Sequence, residues 1–187
     1  VGAFPLSYIG PALPLAELRK RVLDAACTGD AGKMKQLLRA GAGVNTRNEE
    51  NETPLIIAAR HGKPPIVKLL LDKGADIEAA SNSRATALMA ACRNGHSGVA
   101  KLLLAEGAKF NIKESDGLSP LGVACQHGHV ELAKVLFDKG ADIRARTREG
   151  RTALILAAAG GHLDLVRLLL DRGVERLEGV ESAVESE

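Results

Sequence analysis

The chain has 187 residues, of which 45% are hydrophobic and 2% aromatic, and its formal net charge at pH 7 is +2. This length and apolar content suffice for one domain with a sizeable core, and so mild a charge disfavours nucleic acid as the partner. No apolar run reaches the roughly 20 residues that a membrane-spanning helix needs, so we expect no membrane insertion.

Residues 1–14 are predicted to form an extended N-terminal segment. Pro5, Pro11 and Pro14 interrupt any helix there, and the apolar residues between them would pack along the first repeat or dock on another molecule. A linker or a vector-derived remnant explains the same residues equally well. The segment lacks the charged head and the long apolar stretch of a signal peptide.

From residue 15 onward, the same residue types recur every 33 positions. A Thr or Ser that can start a helix stands at Thr53, Thr86, Ser119 and Thr152, and two columns of glycine accompany it. A fixed period of this size indicates stacked repeats rather than a single globular core. The two glycine columns are Gly29, Gly62, Gly95, Gly128 and Gly161, and Gly41, Gly74, Gly107, Gly140 and Gly173.

Residues 51–76 show the predicted unit most clearly. Thr53 supplies an N-cap oxygen and Pro54 fits the first turn of a short helix, which Gly62 ends. A second helix follows, carries Ile, Val and Leu on its buried side, and stops at Gly74. Helices of about ten residues are not stable alone in water. They must therefore bury their apolar faces on neighbouring repeats, which produces a solenoid.

The two ends of the repeat array differ from its middle. Lys20 and Arg21 stand in the first repeat where later repeats have Thr and Pro or Ala, which fits a capping repeat whose outer face meets water. Residues 174–187 hold five Glu and one Arg. Val and Leu recur there at roughly helical spacing, so we predict a short helix that covers the last repeat. A disordered acidic tail is the alternative.

The pattern T-P-L-x-x-A-A, followed by G-H and then by L-L-x-x-G-A-D, resembles the ankyrin repeat from about Leu15 to Gly173. The resemblance implies an all-α solenoid of five stacked helix-turn-helix repeats with projecting β-hairpin-like loops. The expected repeats cover about 15–47, 48–80, 81–113, 114–146 and 147–173. The rest of the chain is then the N-terminal segment 1–14 and the acidic tail 174–187.

The sequence departs from the family pattern at two positions. The loop glycine that precedes the helix-starting Thr is Asn51 and Arg84 in two repeats, so we expect the loop at Arg84 to differ in shape or to be mildly strained. The usual His after T-P-L is also replaced, which removes the hydrogen bonds that it makes between repeats. Its replacements are Ile56, Met89, Gly122 and Ile155.

The histidines and cysteines of the repeats have structural interpretations. His96, His129 and His162 share one position, where the resemblance implies that they stabilise the turn between helices, and a structural zinc site would need four ligands. Cys92 and Cys125 fall in a column of small packing residues. We therefore expect no metal, no cofactor and no enzyme activity. Three cysteines without paired spacing indicate a reducing compartment, cytoplasmic or nuclear.

The resemblance implies binding through the loop tips and the adjoining surfaces of the first helices. Stacking places equivalent positions of successive repeats side by side, and we call the resulting surface the concave strip. Its predicted members are Glu49, Glu50, Glu52, Arg60, His61, Asn82, Ser83, Arg84, Arg93, Asn94, Ser115, Asp116, Leu118, Gln126, His127, Arg148, Glu149 and Arg151.

The strip is acidic in the second repeat and basic in the third and fifth, which suits a protein or peptide partner better than a polyanion. We expect a non-catalytic protein-protein interaction module. The alternative is a regulatory or scaffolding domain of a larger enzyme or channel, which the absence of an initial Met favours. By analogy with solenoids of this size, we expect a monomer.

Overall fold

The computed structural model describes the backbone of residues 14–184 and the side chains of residues 14–173. Within this part of the chain, ten helices form five consecutive pairs and no strand is present, which confirms the predicted all-α solenoid. The first helices of the pairs are α1 (Leu15–Thr28), α3 (Pro54–Arg60), α5 (Ala87–Arg93), α7 (Pro120–Gln126) and α9 (Ala153–Ala159). The second helices are α2 (Ala31–Arg39), α4 (Pro64–Asp72), α6 (Ser97–Ala105), α8 (Val130–Asp138) and α10 (Leu163–Val184).

Four of the first helices begin at the Thr or Ser column. Each hydroxyl accepts a hydrogen bond from the backbone N–H three residues later, over 3.2–3.5 Å. This bond satisfies one of the free N–H groups of the first turn. The side chains in question are Thr53, Thr86, Ser119 and Thr152.

The core runs along the whole stack rather than around one centre. Each first helix packs on the first helix of the next pair, and the second helices follow the same order. Leu55, Leu88 and Leu121 occupy equivalent positions and are 1% exposed. Burial of one such side chain contributes roughly 1.5–3 kcal/mol, so contacts between pairs stabilise helices that could not form singly.

Histidine joins consecutive pairs at the turn between their helices. The Nε2 atoms of His96, His129 and His162 lie 2.9–3.1 Å from the carbonyl oxygen of the last residue in the first helix of the preceding pair. Since a carbonyl only accepts, Nε2 carries the proton and donates it. These histidines therefore link each helix pair to the preceding one, and they also stabilise the turn to which they belong.

Of the two outcomes expected for the loop at Arg84, the structure shows backbone strain rather than a shape that differs from the neighbouring loops. Arg84 has φ 64° and Asn51 has φ 63°, while glycine takes this left-handed conformation at Gly117 and Gly150. The N–H of Arg84 donates to Ser81, just as that of Gly117 donates to Glu114. The turn is retained because the stacked loops hold it, at a strain cost of about 1–2 kcal/mol for a non-glycine residue.

Gly173 does not end the last helix, although it belongs to the column in which Gly74 follows the end of α4. α10 passes through Gly173 and continues to Val184, so the separate short helix that we expected in the tail is joined to the fifth pair. Earlier glycines of this column precede Ala and a loop, whereas Gly173 precedes Val174 and then Glu175, Arg176 and Leu177, three good helix formers. The predictions for residues 1–13, for residues 185–187 and for the tail side chains lie outside the described residues.

Candidate protein-binding surface

The loop tips form a continuous backbone ladder along one side of the stack. The N–H of Asn82 donates to Glu50 at 3.0 Å, that of Ser115 donates to Ser83 at 2.9 Å, and that of Arg148 donates to Asp116 at 2.8 Å. Each bond joins the same pair of loop positions in neighbouring repeats. The tips are therefore held in a fixed relation to one another, which limits the conformational entropy that the loops would lose when a partner binds.

The structure brings most of the predicted strip residues to the surface. Arg93 and Ser115 are half-buried, whereas Glu52 and Leu118 are each only 7% exposed. The other members are exposed: Glu49, Glu50, Arg60, His61, Asn82, Ser83, Arg84, Asn94, Asp116, Gln126, His127, Arg148, Glu149 and Arg151.

The assignment of Glu52 and Leu118 to an outward-facing surface was wrong. Both immediately precede the helix-starting residue, and the equivalent Ala85 is also buried. Glu52 forms an ion pair with Arg60 and accepts a hydrogen bond from the Asn48 amide at 3.0 Å. The position points into the stack because the loop must turn inward there to start the next first helix.

Two arginines of the strip are occupied by internal carboxylates. Arg60 pairs with Glu52, and Arg93 reaches across to the next pair, where its Nη2 lies 2.6–2.7 Å from both oxygens of Glu114. Burial raises the pKa of the Glu114 carboxyl above its usual range, and the attraction of the Arg93 guanidinium opposes that rise. The Nη2 donors of Arg93 are therefore not available to a partner unless this pair breaks.

Several polar members of the strip serve the ladder. The Asn82 amide donates to the carbonyl of Glu49 at 3.2 Å, and the Ser115 hydroxyl donates to the carbonyl of Ser83 at 2.9 Å. The Asn94 amide donates to Ala90 within its own helix. Five charged or amide side chains are left without an internal hydrogen-bond or ion-pair partner among the described residues. They are Glu49, Glu50, Arg84, Gln126 and Arg148.

A cleft of about 400 Å³ opens on this surface between the fourth and fifth pairs. Leu118 and Leu156 form its apolar part, and polar side chains of two neighbouring loops form its walls. Seven strip residues line the cleft: Ser115, Asp116, Leu118, Gln126, Arg148, Glu149 and Arg151. Glu149 and Arg151 pair with each other.

Three residues that matter here were missed by the sequence analysis. Thr147 and Leu156 line the cleft, and Glu114 binds Arg93. Leu156 shares a column with the core residues Ile57 and Val123, so nothing in the pattern distinguished it. The ion pair between Arg93 and Glu114 cannot be predicted from the sequence unless the stacking geometry is known, because the two residues are far apart in the chain.

His61 and His127 do not behave as a cationic surface. Partial burial lowers the pKa of both rings, and the nearby guanidiniums of Arg60 and Arg93 act in the same direction. The rings are consequently neutral at pH 7. His61 Nε2 lies 3.4 Å from the sulfur of Cys27, which is half-buried.

No group of three or more His, Cys, Asp or Glu side chains within residues 14–173 is placed to hold a metal ion. Cys92 and Cys125 are fully buried, and burial raises the pKa of each thiol to about 12. A thiol with so high a pKa does not act as a nucleophile near neutral pH. These two residues pack the core, as the small-residue column predicted.

The stacked helix pairs and the ladder of projecting loops define a helical repeat protein. A family model described as ankyrin repeats in three copies matches residues 22–114 and 106–176. The chain therefore belongs to the ankyrin repeat family, whose repeats are generally protein-protein interaction modules and typically non-catalytic. A comparison with curated proteins gives no significant match. Between residues 14 and 184, no helix combines the length and apolar content required to cross a bilayer.

Proposed function

We propose that the chain is a non-catalytic module that binds a protein or peptide through the concave strip. The observation that carries this proposal is the row of exposed side chains without internal partners on a hydrogen-bonded ladder of loop tips. Glu49, Glu50, Arg84 and Arg148 are charged members of that row. Charged groups that the fold leaves unpaired are available to recognise an outside partner and to select its orientation.

The order of charges along the strip supports a partner with segregated charge. Glu49 and Glu50 are acidic in the second loop, whereas Arg84 and Arg148 are basic in the third and fifth. A polyanion such as nucleic acid would be repelled at the second loop, because it needs one continuous basic surface. We infer a protein whose basic part faces the second loop and whose acidic part faces the fifth.

We also propose that the protein acts as a monomer in the cytoplasm or nucleus. The free thiols of Cys27, Cys92 and Cys125 support a reducing compartment. The ankyrin domain is proposed to span residues 15–173, with five repeats that correspond to the five helix pairs.

Affinity capture from a cell lysate with matched charge reversals tests the proposed function. The strip variant carries Arg84→Glu and Arg148→Glu. The control carries Lys35→Glu and Lys134→Glu, which change the net charge equally but lie exposed on the second helices α2 and α8. Quantitative mass spectrometry compares what each variant and the unchanged protein retain, and thermal unfolding confirms that both variants are folded.

We expect some proteins to be retained by the unchanged chain and by the control but lost from the strip variant. Equal retention by the two variants would place the binding surface outside the strip. Equal loss would show that retention depends on net charge alone.

A further inference from the structure

We propose that the cleft between the fourth and fifth helix pairs is the anchor pocket of the concave strip, and that it takes an aliphatic side chain from an extended acidic segment of the partner. The inference rests on the proposed function, because it names the part of the strip that a protein would enter. The inference adds that the partner's side chain in the cleft is aliphatic and that its neighbours are acidic.

The cleft has room for an apolar side chain together with the peptide backbone beside it. Its volume of about 400 Å³ falls within the roughly 300–1,000 Å³ of ligand-binding clefts. Leu118 and Leu156 supply its apolar lining, and the Gln126 amide, which has no hydrogen-bond partner among the described side chains, can bond a peptide group there. Gly122 lies next to the two leucines, where an added Cβ would come within 3.2 Å of Leu118 and 3.5 Å of Leu156.

The preceding junction shows why the cleft opens at this place. One pair earlier, Arg93 crosses to Glu114 and fills the equivalent space with an ion pair. One repeat further along the chain, the equivalent positions hold Gln126 and Thr147, which are shorter and cannot form an ion pair. Both line the cleft. The opening therefore coincides with the loss, at the fourth junction, of the ion pair that spans the preceding one.

The surrounding charge selects an acidic segment. Residues 144–151 contain four arginines and one glutamate, and Glu149 is paired with Arg151. The guanidinium of Arg148 has no partner among the described side chains and stands at the cleft wall. An aliphatic residue can thus enter the cleft while a flanking carboxylate reaches Arg148 with charge-assisted hydrogen bonds.

Three blocked tripeptides test this assignment by NMR titration of the ¹⁵N-labelled protein. N-acetyl-Glu-Leu-Glu amide supplies the aliphatic side chain and the charge, the Glu-Gly-Glu version lacks the side chain, and the Lys-Leu-Lys version reverses the charge. The first should shift amide resonances of residues 115–118, 126–127 and 147–151. It should bind at least about tenfold more tightly than either other peptide. Equal affinity for all three, or shifts elsewhere, would overturn the proposal.

A closed-cleft variant provides the second test. Gln126→Arg, Thr147→Glu and Glu149→Asp together reproduce the residues of the preceding junction and leave the net charge unchanged. At the preceding junction, the N–H of Leu118 donates a hydrogen bond to Asp116 Oδ1 at 3.0 Å. The aspartate introduced at position 149 supplies the equivalent acceptor. This variant should lose binding of the Glu-Leu-Glu peptide about tenfold or more while it unfolds at nearly the same temperature as the unchanged protein.

A single exposed substitution keeps the test valid if the triple variant does not fold. Arg148→Gln should weaken the Glu-Leu-Glu peptide about tenfold. Arg144→Gln makes the same charge change a few residues away without lining the cleft, and it should leave the affinity unaltered. Equal weakening by both would assign the effect to the general field of the arginines and would overturn a specific pocket.

Lysate capture separates this proposal from the proposed function. If proteins lost with the Arg84→Glu and Arg148→Glu variant are retained by the closed-cleft variant, the strip binds proteins but the cleft is not its anchor. If both variants lose them, the anchor assignment is supported. If both variants capture the same proteins as the unchanged chain, the proposed protein-binding function of the strip is contradicted, regardless of the tripeptide affinities.

Discussion

At the scale of single residues, histidine and glycine at the inter-helix turn depend on each other. Gly62 has φ +60°, and a Cβ built there would lie 2.6 Å from the ring of His96. That ring donates to the Arg60 carbonyl at 2.9 Å. A side chain at Gly62 would thus meet both left-handed backbone strain and a ring that it must displace. Gly161, in the same column, has φ +73° and open space around the Cβ position.

Gly62→Ala and Gly161→Ala separate these two costs. Gly161→Ala should lower the free energy of unfolding by about 1–2 kcal/mol, because only backbone strain is introduced. Gly62→Ala should cost roughly 0.5–1.5 kcal/mol more, because the hydrogen bond of His96 is lost as well. Urea unfolding followed by circular dichroism measures both values. Equal losses would mean that the ring moves aside freely.

The three cysteines should differ sharply in reactivity. Cys92 and Cys125 are buried with thiol pKa values of about 12, whereas Cys27 is half-buried beside His61. In the native protein at pH 8, a disulfide reagent such as DTNB should label Cys27 first, and the other two should react only as the protein opens. The Cys27→Ser variant should lose the fast phase. Fast labelling of that variant would contradict the burial of the other two thiols.

At the scale of helices, the same position can be core or surface, depending on its place in the stack. Ile56 on α3 is 1% exposed, because α5 packs against its helix. Ile155 is its equivalent on α9, and 46% of it is exposed. The two residues have the same type and the same position in their helices. Their contribution to stability is therefore set by the neighbouring pair.

Ile56→Ala should lower the free energy of unfolding by about 2–5 kcal/mol, since a buried side chain is replaced by a cavity. Ile155→Ala should cost only about 1 kcal/mol, because much of that side chain already contacts water. Thermal and urea unfolding of the two variants provide the comparison. Similar losses would show that α9 is covered in solution.

At the scale of the whole molecule, the two ends of the stack differ in character. Exposed Arg21 and Asp24 of α1 occupy columns that hold buried residues in the inner pairs, such as Pro54 and Ile57. The other end keeps the apolar residues of an inner pair, and Leu163 and Leu170 are 69% and 49% exposed. Since stability in a stack is a sum of units and nearest-neighbour contacts, the fifth pair has the least support.

Hydrogen exchange should reveal this gradient. Amides of α5 and α7, which are covered on both sides, should exchange most slowly, and those of α9 should exchange faster at the same pH. Exchange measured by mass spectrometry on peptides from each helix gives the order. Uniform protection from α3 to α9 would indicate a single cooperative unit and would contradict the gradient.

The sequence pattern predicted the helix pairs and the starts of four first helices. Most of the residues that it assigned to the strip are exposed. These features recur from one repeat to the next because each follows from local chemistry. A hydroxyl caps a helix, a glycine permits a left-handed turn, and an aliphatic face must be buried. The same local chemistry did not reveal that α10 continues through Gly173, since a glycine ends a helix only when the following residues cannot continue it.

Tertiary packing decided which strip residues are available. Whether Arg93 is free or paired depends on Glu114 in the next pair, and whether Leu118 is outward or inward depends on how the stacked loops turn. The cleft between Gln126 and Thr147 exists because two side chains from different pairs fail to meet. Such pairings join residues of neighbouring repeats across a junction, and no periodic pattern within one repeat contains them.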